Sequence, residues 1–190
     1  MDREDSVHQR LGWTELSDER SIGLAWRMAS ALRVRDRSGS TALLDFQQVH
    51  DEHLGLSLRW PEASRRVLTF LRGHATRKWI ADTLLLEVEA PDGDLRLEDV
   101  IERSSLALVL PASRPLTPRL VLGALPISAQ ERLRWTKDGR LPQSGAVMMR
   151  RAHPISVATY AVETISELVE NPSIIALWRE QDALRFHATG

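Results

Sequence analysis

One segment constrains this chain more than any other: Leu116 to Pro142, LTPRLVLGALPISAQERLRWTKDGRLP. Thr117 is a good N-cap and Pro118 suits the first helical position, where its missing N–H costs nothing. Val121, Leu122 and Leu125 supply the apolar side of that first helix. Pro126-Ile127 breaks it, and Ser128 caps a second helix expected to run through Lys137, with Leu133 and Trp135 as its anchors. Asp138-Gly139 stops the second helix in a sharp turn, because glycine tolerates the left-handed conformation required there. Two short helices joined by so tight a break form a helix-turn-helix frame.

The residues Leu116, Thr117, Val121, Leu125, Ile127, Ser128, Arg134, Trp135, Asp138, Gly139, Arg140, Leu141 and Pro142 follow one another without insertion or deletion. In this the segment resembles the DNA-binding domain of the excisionases and the mercury-regulator (MerR-like) proteins, and the resemblance extends from Leu116 to about Glu170. It differs at four places: Pro126 stands where glycine is usual, Arg132 where a β-branched core residue is usual, Glu131 where a small hydroxyl residue often faces DNA, and the wing segment is longer than usual. The resemblance implies a winged helix-turn-helix. Its wing would comprise Ala146–Met149, a turn at Arg150–Pro154 and Ile155–Val157, followed by a helix carrying Val162, Ile165 and Leu168. It also implies duplex DNA as the partner of a transcriptional regulator or recombination directionality factor. The second helix would enter the major groove with Gln130, Arg134 and Lys137, where glutamine pairs with adenine and arginine with guanine. Arg140, Arg150 and Arg151 would reach phosphate or the minor groove.

Charge placement agrees with this. The whole chain carries a formal charge of −1. Yet Arg114 to Arg151 holds eight basic residues, Arg114, Arg119, Arg132, Arg134, Lys137, Arg140, Arg150 and Arg151, against the acids Glu131 and Asp138. A local patch matters more for phosphate contact than the total. From Ala152 onward two basic residues face five acids.

At 43% hydrophobic and 27% charged, the chain has enough apolar surface to offset chain entropy. No apolar run reaches the ~20 residues of a membrane span, the first ten residues hold no signal-like apolar core, and cysteine is absent. The expectation is a cytoplasmic chain with no membrane partner, disulfide, cofactor or metal. His50-Asp51-Glu52-His53 is the one tight His/carboxylate cluster. Its histidines are three apart, whereas a His-Glu-x-x-His zinc helix places them one turn apart at i and i+4. It reads as a solvated polar loop. Phosphate loops, nucleophile elbows and dinucleotide glycine patterns are missing, so an enzyme is not expected.

The first hundred residues predict a mixed α/β domain. Residues 1–17 form a polar lead-in, and 18–111 a domain that joins a second copy or a protein partner. Asp18 to Val34 has a helix period through Ile22, Trp26, Ala29 and Leu32, and Asp36–Ser40 reads as a turn or loop. Pro61 opens a helix lined by Val67, Leu68 and Leu71, which Gly73 ends, and Thr76–Ala81 begins another. Thr83–Glu89 reads as a strand that turns at Pro91-Asp92-Gly93-Asp94 into Leu95-Arg96-Leu97, forming a β-hairpin. Glu98–Arg103 reads as a short helix, Leu106–Leu110 as a buried strand, and Pro111–Pro115 as a linker. Arg65, Arg66, Arg72, Arg77 and Lys78 form a second basic cluster, read as a solvated helix face. The fold expected is α+β: a mixed N-terminal domain with a β-hairpin, a winged helix-turn-helix over 114–178, and a loosely packed tail over 179–190. The competing function is an interaction or assembly factor that uses the winged helix to dock another protein.

Overall fold

The structure is a computed structural model that describes residues 19–38, 41–72, 75–80, 83–89, 94–149 and 154–188. The chain divides into two units, Met1–Ser113 and Arg114–Gly190. Each combines helices with antiparallel sheet, which places the chain in the α+β class.

In the first unit α1 (Glu19–Ala31), β1 (Arg33–Ser38) and β2 (Thr41–Asp45) precede the helices α2 (Gln47–Glu52), α3 (Leu54–Leu58) and α4 (Trp60–Phe70). Then come β3 (Ala75–Ile80), β4 (Thr83–Glu89) and α5 (Asp94–Ser113). The strands form one antiparallel sheet in the order β1-β2-β4-β3, with Leu44 opposite Val34 on one side and Leu86 on the other. The two central strands carry the apolar runs, while the edges read RVRDRS and ATRKWI. Charge on an edge strand discourages pairing with a further chain. Ala42 and Leu44 are buried with Met28, Phe46, Val49, Leu56, Val67 and Leu108 in the core between sheet and helices.

Three expectations for this unit are corrected. Asp36–Ser38 belong to strand β1 rather than to a loop, because Arg33–Ser38 pair along β2. Thr76–Ile80 form the edge strand β3, not a helix: the β-branched and aromatic Thr76, Trp79 and Ile80 suit a pleated surface, and β4 needs a partner there. Residues 94–113 form one helix, so β4 has no hairpin partner at Leu95–Leu97, and neither a strand at Leu106–Leu110 nor a linker beginning at Pro111 exists. Leu97, Val100, Leu108 and Ala112 return to the core at helical spacing. The buried hydroxyls of Ser104 and Ser105 donate to the carbonyls of Val100 and Ile101 one turn back, which hides their polarity inside the helix. At the end of α5 the Pro111 carbonyl would need the N–H of residue 115, and proline has none. The buried Arg59 supplies the donor instead, at 2.9 Å. The hairpin turn expected at Pro91–Gly93, the lead-in 1–17 and Gly73 lie outside the described residues.

The second unit contains α6 (Pro118–Ala124), α7 (Ala129–Lys137), β5 (Gly145–Met149), β6 (Ile155–Thr159), α8 (Val162–Glu170) and α9 (Pro172–Ala188). β5 and β6 pair antiparallel from Gly145 opposite Thr159 to Met149 opposite Ile155. Leu116 extends this ladder by a two-bond bridge with Tyr160, at 2.7 and 3.0 Å, so the chain enters α6 already tied to the hairpin. Leu116, Val121, Leu125, Trp135, Leu141, Tyr160, Ile165, Leu168 and Ile175 are buried. The tail expected from residue 179 is corrected, because α9 continues to Ala188 and its Asp182 is among the most buried polar side chains of the unit. No described helix of either unit is long and apolar enough to cross a membrane.

Candidate nucleic-acid interface

α7 is fixed at both ends by short-range chemistry. The Ser128 hydroxyl accepts the Glu131 N–H at 3.1 Å while the Glu131 carboxylate accepts the Ser128 N–H at 2.7 Å, a reciprocal capping box. At the other end Gly139 adopts φ 84°, which a side chain disfavours. The Leu141 N–H then returns to the Trp135 carbonyl at 2.9 Å.

The inner face of α7 rests on Trp135, which is fully buried. Its indole N–H donates to Asp182 of α9 at 2.9 Å, and its ring meets Trp178 edge-on with centroids 5.0 Å apart. Asp182 also accepts Arg140 at 2.6 Å and pairs with Arg134 at 2.5 Å. Burial alone would raise the Asp182 carboxyl, but Arg140, Trp135 and Arg134 together hold it below the usual carboxylate range. Arg140 is further bound to Asp138, and it donates to the Trp178 carbonyl at 3.0 Å with its guanidinium near the Trp135 ring. Asp138 is itself lowered, chiefly by that bond from Arg140.

A ladder of ion pairs therefore joins α7 to α9: Glu131 with Arg179 at 2.7 Å, Arg134 with Asp182, and Asp138 with Arg185 at 3.8 Å. Signs alternate along each side. Arg179 is the main reason that the Glu131 carboxyl drops to about 2. It also reaches the Pro126 carbonyl at 2.7 Å.

Two of the departures from the pattern that the segment resembles thus have internal partners. Glu131 serves as cap and counter-ion rather than facing phosphate. Arg132 donates to the hydroxyl of the buried Tyr160 at 2.7 Å, and Thr136 shares that hydroxyl at 2.9 Å. A hydrogen-bonded pair stands where a β-branched residue would otherwise pack.

The expected contact residues divide accordingly. Gln130 and Lys137 are exposed on the outer face of α7. Arg134 is 39% exposed and bound to Asp182. Arg140 is 13% exposed and committed to Asp138, Asp182 and Trp178 within the unit, so the phosphate contact expected of it would require breaking those bonds. Arg150 and Arg151 lie outside the described residues. Leu133, expected as an anchor, is 58% exposed. The correction has a simple cause: with Trp135 pointing inward, a residue two positions earlier is rotated by about 200° on a helix of 3.6 residues per turn. Gln130, Leu133 and Lys137 instead share one outward row at i, i+3 and i+7. Asp182 and Arg179 were missed as members of the site. Their only signal in the sequence is the spacing of Arg179, Asp182 and Arg185, opposite in sign to Glu131, Arg134 and Asp138.

Elsewhere, His50 pairs with Asp51 at 2.9 Å and meets Trp60 edge-on. His53 lies between α2 and α3, its pKa lowered chiefly by burial. Among the described residues no group of three or more histidines and carboxylates is placed to hold a metal ion. Of the second basic cluster, Arg65 and Arg66 lie on α4 and Arg77 and Lys78 on β3, so it is not one helix face. The first unit also has an open groove of about 570 Å³ between α1 and α5, lined by Ile22, Trp26, Ile101 and Leu106 with Glu98 and Glu102.

Comparison of the chain with protein-family models, curated proteins and solved structures finds no match.

Proposed function

We propose that Arg114–Gly190 is a winged helix-turn-helix that binds duplex DNA, with α7 in the major groove and the β5–β6 hairpin as its wing. The chain acts as a transcriptional regulator or recombination directionality factor, and the N-terminal unit engages a second copy or a protein partner. The observation that carries this reading is the outward row Gln130, Leu133 and Lys137, left exposed on a helix whose other faces are tied down. A recognition helix needs that division, since rigidity of the scaffold lets a few side chains meet base edges in register.

The test is fluorescence anisotropy of the full chain on labelled random-sequence duplexes across a salt series. Affinity should fall linearly in log–log form, as counterion release requires. Lys137→Ala should weaken all sequences alike and reduce the slope by about 0.9. Absence of binding at low salt, or binding indifferent to salt, would refute the reading.

A second reading has its own observation. Val147 and Ile155 are exposed on one face of the hairpin and Met148 on the other. Among the described residues β5 pairs only with β6, so its outer edge could accept a strand from a protein partner. Salt-insensitive association with protein, without DNA binding, is the outcome that favours this assembly role.

A further inference from the structure

Arg134, the arginine expected to read guanine, is held by an acid inside the unit. Recognition of guanine by arginine uses two N–H groups directed together at O6 and N7. One terminal nitrogen of Arg134 lies 2.5 Å from Asp182, and Arg140 binds the other oxygen of the same carboxylate at 2.6 Å. Asp182 is only 7% exposed and is anchored by the Trp135 indole. Swinging Arg134 into a groove would leave a buried carboxylate short of a partner, which is costly. What α7 presents outward is therefore an amide, a branched alkyl group and one ammonium: Gln130, Leu133 and Lys137.

We infer that α7 reads A·T pairs, with Gln130 on adenine and Leu133 against a thymine methyl, while Arg134 takes no part in base choice. The inference rests on the DNA-binding reading above. An amide can donate and accept at once, which matches N7 and N6 of adenine, and apolar side chains pack on the thymine C5-methyl. Three helical residues rise about 4.5 Å, close to the 3.4 Å step between base pairs. Gln130 and Leu133 thus address the same pair or adjacent ones. A single exposed leucine is ordinary on a protein surface; its place between an amide and a lysine on one outward row is what assigns it this role. Lys137, at the far end of the row, is left to phosphate.

The experiment uses the full chain. Sites are selected from a random duplex pool, and affinities for the selected site are then compared with versions in which single thymines are replaced by uracil, removing only the methyl. We expect selected sites with an A·T core. Uracil at one position should weaken the wild type about fourfold, the effect of one buried methyl-sized group. Leu133→Ala should lose a similar factor and become indifferent to the same replacement, with its melting temperature showing that it remains folded. Arg134→Lys, which keeps a cation beside Asp182, should select the same core. A core built on guanine whose preference disappears in Arg134→Lys would overturn the inference while leaving DNA binding standing. So would a uracil effect that persists in Leu133→Ala. A folded wild type that binds no duplex at low salt would overturn both.

Discussion

Asp182 gathers the Trp135 indole and the guanidinium groups of Arg134 and Arg140 onto one carboxylate. Removing one partner of a buried ionic group costs far more than the group contributes net, because the remaining charges stay desolvated. Asp182→Ala should therefore destabilise the second unit by about 3 kcal/mol, the order seen when buried pairs are broken. Urea unfolding monitored by tryptophan fluorescence would measure it, and a loss below that of an ordinary surface change would contradict the packing described. Acid should act through the neighbouring ladder. Glu131 has a folded pKa of about 2 against an ordinary 4.5. Because the folded value is the lower one, its contribution is complete above about pH 4.5 and disappears as pH falls towards 2. Asp138 and Asp182 shift in the same direction. Urea midpoints should thus decline between pH 5 and pH 3, and Glu131→Gln should make that decline shallower. Identical pH profiles for the two proteins would show that the Arg179 pair contributes nothing.

Among the elements, α7 was legible in the sequence because everything that defines it lies within about a dozen residues. Its cap, apolar anchor and terminal glycine are near neighbours, and local chemistry suffices. Ser128→Ala should cost about 1 kcal/mol through the lost cap, read as a lowered thermal midpoint. The inner partner of α7 was not legible, since the Trp135 to Asp182 bond spans 47 residues and an acid in a charged helix carries no mark of where it will be buried. The same limit explains α5. An apolar run such as Leu106–Leu110 fits a buried strand or a buried helix equally well by pattern, and only its packing against α1, α3 and α4 decides. There the approach is close: a Cβ on Gly55 would lie 2.1 Å from the Ala112 carbonyl oxygen. Backbone cannot yield as a side-chain tip can, so Gly55→Ala should destabilise the first unit by about 1–3 kcal/mol, the range for overpacking. A calorimetric melt that matches wild type would mean that α3 and α5 are not held at this distance.

For the molecule as a whole, the basic stretch from Arg114 to Arg151 overstates the charge available to a polyanion. Arg134 and Arg140 are neutralised by Asp182 and Asp138. Each phosphate neutralised contributes about 0.9 to the slope of log affinity against log salt. With Lys137, Arg119, Arg150 and Arg151 as the remaining contributors to the proposed DNA contact, the slope should be no steeper than about −4. A steeper one would mean that the paired arginines turn outward on binding. The order of elements in the second unit was visible from its motif, whereas the first unit required its sheet to be assembled from distant strands. The charged edges β1 and β3 look least like strands in isolation, and they are intelligible only once the apolar β2 and β4 lie between them.

The carboxylate at Asp182 also sets the size of the piece that can be moved. A chimera made by cutting at Trp178, beyond the sequence motif and its following helix, would carry Trp135, Arg134 and Arg140 into the new host without Asp182, the group that binds all three. The portable cassette is longer than its signature. It extends through α9, and a graft that omits those last three turns or so inherits α7 with its own charges turned against it.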